Sequence, residues 1–303
     1  MISKSIWFIR LVSTVHPCVD RIEFIDWICK KKIQFWFFRV LRFGFSPALL
    51  YSLSQQENLS LEERSRLHTL CTSHLRAGNT VKTTGEARTK HADDCVLEEI
   101  GRTSKPRFLE VGVSDGSSTL ELLYKRELFS EIKLSDRYPF FLLKPHFGGY
   151  QFYDADGRSY GRKVFGVLFN TKKSTVIDPA ECIKVESINP LVKEISGLGT
   201  IHLFDVFCSV EEEKFDIIKC ANLLNLIYFS ENRVYDAISN LAKSLKVGGI
   251  LIISQNNEKY KDGEAVICAR HVEYGKLQIY KQINEHELLN VLETSESVVF
   301  HNS

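Results

Sequence analysis

Phe108 to Leu120 reads FLEVGVSDGSSTL: an apolar run passes through Glu110 into Gly112 and Gly116, then into serines that open a leucine-rich stretch. Buried strand, glycine loop and helix start, in that order, present backbone N–H groups to a ligand. Glycine is needed where a side chain would hold the ligand away from the backbone. The spacing is not the G-x-G-x-x-G of dinucleotide-binding loops, and no G-x-x-x-x-G-K-[ST] phosphate loop occurs. A second acid, Asp136, ends the run EIKLSD twenty residues after Gly116. An acid at the end of a second strand can accept two hydrogen bonds from a ribose diol; the plainer reading is a solvated turn acid ahead of Arg137-Tyr-Pro. Further on stand Asp205 in IHLFDVF, Asn222 and Asn225 after FDIIKCA, and Gly248-Gly249 ahead of ILIIS.

In that order these residues resemble the class I S-adenosylmethionine-dependent methyltransferases. Their E/D-x-G-x-G-x-G loop is matched by Glu110-Val-Gly112-Val-Ser114-Asp-Gly116, with serine in the middle glycine position. FDIIKCANLLNLIYFSE and LKVGGILIIS look like that family's fourth strand, its following helix start and its fifth strand, where L-K-P-G-G is usual. The same stretch bears a weaker likeness to the chemotaxis-type protein-glutamate methyltransferases, whose C-R-N-x-x-I-Y-F is stretched here by two residues before Ile227. The resemblance covers about 200 residues, Pro106 to Phe300.

The resemblance implies S-adenosyl-L-methionine as cofactor. Glu110 would orient the loop or receive the amino group through water, and Gly112, Ser114 and Gly116 would line the methionyl part. Asp136 would hold the ribose, Asp205 would meet the adenine amino group, and Asn222 would stand beside the transferring methyl. The implied reaction is an in-line displacement at a sulfonium methyl, which needs alignment and desolvation above all. A general base is needed only for a protonated acceptor, so catalytic residues stay unassigned, and His202, His271 and Tyr228 read more simply as structural. Two other readings stay open. One is a methyltransferase-like fold without turnover, serving as a binding or assembly subunit, which Ser114 keeps alive. The other is a nicotinamide-dependent Rossmann enzyme, against which the missing third glycine counts.

The elements that must position these residues give an α/β fold: a Rossmann-like, mostly parallel seven-stranded sheet with a late antiparallel strand pair, preceded by an α-helical extension. Residues 1–90 form the basic-aromatic extension and 91–303 the methyltransferase-like domain, with a β-hairpin insertion near 148–170 around DADGRSYG. Ser60 with Glu63 is a capping-box pattern opening a helix over 60–75, and Ser230 caps a helix whose face is Val234, Ile238, Leu241 and Leu245. SSTLELLYKREL reads as a helix. Asp154 and Asp156 are turn chemistry rather than a metal site.

The 303 residues, 44% hydrophobic and 25% charged, suit a soluble globular protein, and a net charge of +1 carries no nucleic-acid signature. The first fifty residues differ, with eight cations against three acids. KKKIQFWFFRVLRFGF reads either as a helix packed on the main domain, the favoured reading, or as peripheral membrane contact through residues 30–45. IWFIRLVSTV is broken by Arg10 and no apolar run is long enough to span a bilayer. Eight cysteines without a C-x-x-C pair point to reduced thiols and a cytoplasmic protein, at most peripheral at a membrane. The methyl acceptor, whether protein, lipid or small molecule, is not chosen by any feature of the chain.

Overall fold

RFLEV, FDIIKCA and the glycine-broken LKVGGILIISQN are apolar runs largely buried on both faces, as central parallel strands are. They form the middle of an eight-stranded sheet, labelled in chain order β1 (Arg107–Val111), β2 (Glu131–Asp136), β3 (His202–Leu203), β4 (Phe215–Ala221), β5 (Leu245–Asn256), β6 (Glu264–His271), β7 (Leu277–Ile283) and β8 (Val298–Phe300). This computed structural model describes residues 15–31, 33, 43–77, 80–81, 84–85, 88–102, 104–170, 176–256, 259–260, 263–272, 276–293 and 298–300. Most of the amphipathic segment expected over 30–45 lies outside them.

The spatial order is β3-β2-β1-β4-β5-β6-β7-β8. Only β6 runs against its neighbours, so the Rossmann-like sheet with its late antiparallel pair is present, and β8 adds a three-residue edge. Two compact units divide the chain: Glu86–Arg137 with Ile201–Ser303, which holds this sheet, and Met1–Gly85 with Tyr138–Thr200.

Alternation along the strands sends Leu109, Ile218 and Leu251 to one face, against Val234, Ile238 and Leu241 of the helix Glu231–Lys243. Phe108, Ile217 and Ile250 face the other way, against Ala92 and Val96 of the helix Lys90–Ile100. Ser230 stands at the N-cap of the first helix without bonding its side chain there. The helix expected from Ser117 is broken up: a 3-10 turn, Ser117–Thr119, a single α-turn, Leu120–Leu123, and a second 3-10 turn, Arg126–Leu128. Short polar side chains explain the start, since Asp115 accepts from both the N–H and the hydroxyl of Ser117 at 3.0 and 2.8 Å and competes with helical bonding. Strand β3 is shorter than the run 201–207, because the Asp205 carbonyl turns the chain by accepting from Cys208 and Ser209 at 3.0 and 2.8 Å.

The other unit is a separate α+β module. Its sheet is antiparallel throughout, in the order Val15–Pro17, Val167–Asn170, Ser159–Val164, Gly149–Tyr153, Phe140–His146, Ile183–Glu186. The hairpin expected near 148–170 is thus the middle of a four-strand meander that recruits one strand from each flank. Phe141, Leu143 and Phe152 form its core with Leu49, Leu53 and Leu67 from the helices Pro47–Ser54 and Leu61–Ser73. The capping box at Ser60 and Glu63 is formed, at 3.2 Å in both directions. The turn acid Asp154 accepts from the N–H groups of Asp156 and Arg158 at 3.0 and 2.9 Å, and among the described residues no acid, histidine or cysteine cluster could hold a metal.

One lysine is buried in the middle of the larger sheet. Lys219 on β4 lies in register with Glu110 on β1, and its side chain is 0% exposed. The ammonium reaches Glu110 at 3.0 Å, the Thr89 hydroxyl at 2.9 Å, and the Asp93 carboxylate on the helix Lys90–Ile100. Glu264 of β6 caps that helix from the side, accepting from the N–H groups of His91 and Ala92 at 2.7 and 3.4 Å. Burial, then the charge of Glu110, push the Asp93 carboxyl up to about 7 against the pull of Lys219, and burial raises Glu264 as well.

Two outcomes are expected. Lys219→Met leaves the buried Glu110 carboxylate without its cation and should cost about 3–5 kcal/mol in denaturant unfolding. Folded Asp93 keeps its proton up to about pH 7, whereas the unfolded chain releases it near 3.8. Its contribution is therefore complete below that lower value and is lost as the pH rises to about 7. Asp93→Asn should flatten this loss, read as a smaller fall in Tm across the same interval.

Candidate functional site

The strand order reverses between β1 and β4, and in an open α/β sheet the crevice at the carboxyl ends beside such a reversal is where ligands bind. Gly112 and Asn222, the residues that follow β1 and β4, stand there. Three alternate residues of the loop are left-handed, Gly112 at φ +77°, Ser114 at +61° and Gly116 at +82°. For glycine this costs little; for serine it is a strained conformation, which explains why glycine is the ordinary occupant. A Cβ on Gly112 would also come within 3.0 Å of the Leu223 side chain.

The loop is stitched to β2. The N–H groups of Gly112 and Val113 donate to the Ser135 carbonyl at 2.8 and 3.1 Å, and the Ser114 N–H donates to the Asp136 carboxylate at 2.8 Å. Asp136 is 8% exposed, so the sequence-predicted acid and the sequence-predicted loop meet in one buried contact. The Ser114 hydroxyl is buried with no hydrogen-bond partner among the described residues. An orphaned hydroxyl in a cradle beside the switch point fits a polar ligand that would partner it.

Glu110 sits beneath the loop rather than in the crevice. It is 1% exposed, paired with Lys219, and accepts from the Thr119 hydroxyl at 2.7 Å, which anchors the far end of the loop. Asn222, left-handed at φ +56°, forms an amide pair with Asn256 at the end of β5: its Nδ2 donates at 2.6 Å and its Oδ1 accepts from the Asn256 N–H at 2.7 Å. Arg88 Nε donates to Asn256 Oδ1 at 3.0 Å, which ties this strap to the segment before the helix Lys90–Ile100. Asp205 lies beyond β3 in a turn, accepting from the Phe207 N–H at 3.0 Å and pairing with Arg137 at 3.3 Å. The N–H of Phe204, the residue before it, donates to the Asp136 carbonyl at 3.1 Å, which holds this turn at the end of β2.

Of the three acceptor-side candidates, His271 is remote, with Nδ1 3.0 Å from the Lys246 carbonyl near the opposite end of β5. His202 pairs with Glu211 at 3.1 Å, and burial together with Lys133 lowers its pKa. Tyr228 stands open in the loop that follows β4, 72% exposed next to Ile227 at 82%, where Asn225 accepts from the Ile227 N–H at 2.7 Å. Sequence reasoning missed Lys219, Asp93, Glu264 and Asn256. The available signal was a lysine inside an apolar strand two residues before its end.

Neither a family model nor a curated protein matches this chain. Solved structures similar to it include several methyltransferases. The amino pentose methyltransferase CalS10 from Micromonospora echinaspora is 14% identical over 63% of this chain and 66% of its own, with a TM-score of 0.32. The N-methyltransferase NodS from Bradyrhizobium japonicum, solved with S-adenosyl-L-homocysteine, is 15% identical over 57% of this chain and 65% of its own, with a TM-score of 0.33. A methyltransferase from Clostridium acetobutylicum is 15% identical over 65% and 72%, with a TM-score of 0.33. The chain therefore spans just under two thirds of the length of the first two.

Replacing the strained serine tests the loop geometry. Ser114→Gly should raise stability by about 0.5–1 kcal/mol in chemical denaturation, the relief of the left-handed serine less the entropy of glycine. Gly112→Ala should lower it, because the new methyl meets Leu223 at a φ that alanine disfavours.

Proposed function

We propose that the unit holding the parallel sheet is an S-adenosylmethionine-dependent methyltransferase domain. The observation that carries this reading is the left-handed Gly112-Ser114-Gly116 loop at the switch point, closed onto Asp136 through the Ser114 N–H. Gly112, Ser114 and Gly116 would face the methionyl part, with the Ser114 hydroxyl supplying a bond that it lacks within the protein. Asp136 would take the ribose and Asp205 the adenine amino group, since their two turns are joined at the end of β2. The cofactor supplies a methyl already activated by the positive sulfur. The chain's task would then be to exclude water and align the acceptor in line, and Tyr228, exposed in the loop after β4, is the side chain that would meet the acceptor. Glu110 acts from below by fixing the loop. The acceptor is a protein, lipid or small molecule, and the protein works in the cytoplasm.

A second reading, binding without turnover, is favoured by one observation: both functional ends of the Asn222 amide are engaged by Asn256, so the residue expected beside the methyl is a strap.

Isothermal titration of S-adenosylmethionine and S-adenosylhomocysteine into the purified chain tests the shared cofactor claim. Saturable heat with both is expected, weakened at least about tenfold by Asp136→Ala, as removal of a hydrogen-bonded charged partner predicts. No heat, or an Asp136→Ala curve matching the parent, would remove the cofactor assignment. Product formation with a supplied acceptor would then separate turnover from binding alone.

A further inference from the structure

Two phenylalanines project from the antiparallel module at neighbouring hairpin turns. Phe147 is 79% exposed and Phe165 73%, and their rings meet edge to face at 5.6 Å. The arrangement is built rather than incidental. The Phe165 N–H donates to the Gly148 carbonyl at 3.0 Å, and a Cβ on Gly148 would come within 3.0 Å of the Phe165 ring. Phe165 is also left-handed, at φ +46°, a conformation that a bulky residue rarely keeps. A strained backbone that holds an apolar ring in solvent gains nothing for the fold and points to something outside it.

The surroundings are cationic. The two turn segments FFLLKPHFGG (140–149) and GRKVFGV (161–167) contain no acid; of their cations, Lys144 is paired with Glu181 at 2.7 Å and Lys163 with Asp20, which leaves Arg162. A cleft of about 340 Å³ runs beside Phe165, lined by Arg21, Lys163, Gly148 and Gly166 together with Cys18, Val19 and Asp20. Asp20 in its wall is already bound to Lys163, the Ser46 hydroxyl and the Ser46 N–H, the last at 2.9 Å. Arg21 is exposed, and neither it nor Arg162 has an ion-pair partner among the described residues.

We infer that this end of the module docks on an anionic phospholipid bilayer, with Phe147 and Phe165 entering the interface and Arg21 and Arg162 facing lipid phosphates. Two small protruding rings, with Arg21 lining the cleft beside Phe165 and Arg162 three residues from it along the chain, suit a planar anionic surface better than a protein groove, which would receive a continuous apolar face. The net charge of +5 over the first fifty residues has the same sign. Apolar insertion and basic attraction together meet the two-signal requirement for stable peripheral binding. This inference is independent of the methyl-transfer reading, because it involves none of the crevice residues.

The test is co-sedimentation of the full chain with phosphatidylcholine vesicles, with and without phosphatidylserine. Binding that requires phosphatidylserine is expected. The double variant Phe147→Ser with Phe165→Asn, whose asparagine tolerates the left-handed backbone, should keep its Tm and lose at least about tenfold in vesicle affinity. Phe147→Trp should retain or strengthen binding. Arg21→Gln should weaken it and reduce its salt dependence. The inference is overturned if the parent does not bind, if it binds both vesicles alike, or if the double variant binds as the parent does. A water-soluble short-chain phosphatidylserine that binds while vesicles do not would equally overturn it, since that marks a single-headgroup cleft. Concentration-dependent self-association abolished by the double variant, without vesicle binding, would assign the rings to a second copy and likewise overturn it.

Discussion

The Lys219 ammonium is the constraint on which the larger unit depends. A cation taken fully out of water costs several kcal/mol unless partners surround it, and removing a partner leaves an uncompensated buried charge. Here the three partners come from two places in the chain: Glu110 on the neighbouring strand, and Thr89 and Asp93 around the start of a helix packed on the sheet. None of them is satisfied until β1, β4 and that helix are together. The charge therefore specifies register as well as stability, since a slip of one residue would send the ammonium into the opposite, wholly apolar layer.

That anchor reaches the candidate site through Glu110. One carboxylate oxygen holds Lys219 while the other takes the Thr119 hydroxyl, so the loop over the crevice is fixed from underneath at its far end. Its near end is fixed by Ser135 and Asp136. A loop pinned at both ends tolerates a serine at a left-handed position because the surrounding bonds over-determine it. The same logic applies across the crevice, where Asn222 is left-handed and clasped by Asn256. Pre-organised donors are worth more to a ligand than mobile ones, since the ordering cost has been met in folding.

How much of this was legible follows from what each feature depends on. The strand, loop and acid of Glu110 to Asp136 were readable because apolar run length and glycine placement are local signals. Gly248-Gly249 was readable too, and for a physical reason: Gly248 is left-handed at φ +82°, and a Cβ on Gly249 would come within 3.0 Å of the Asp216 carbonyl. That Glu110 orients the loop was among the readings; its partner Lys219 and the Asn222–Asn256 strap were not readable, because a side chain's partner on another strand depends on register. Lys219 inside FDIIKCA shows only as an oddity until Glu110 is placed beside it. The antiparallel module was seen only in part. Its hairpin signal is local, but its edges come from Val15–Pro17 and Ile183–Glu186, far apart in sequence.

The placement of that module within the chain has its own consequence. The polypeptide leaves the parallel sheet one residue after Asp136 and returns at Ile201, and the Phe204 N–H bond to the Asp136 carbonyl closes the two ends together at 3.1 Å. Closing a loop costs free energy that grows only slowly with its length, so a long excursion is tolerated provided that it buries its own apolar surface. Phe141, Phe152 and Leu168 do so against helices contributed by the N-terminal segment rather than by the parallel sheet. The acid expected to hold a ribose thus sits at the neck of the insertion, held by its pairing with Leu203, by the Phe204 N–H on its carbonyl and by the Ser114 N–H on its carboxylate. Mutations that loosen this neck would displace Asp136, and with it the Ser114 contact, without touching any residue of the glycine loop.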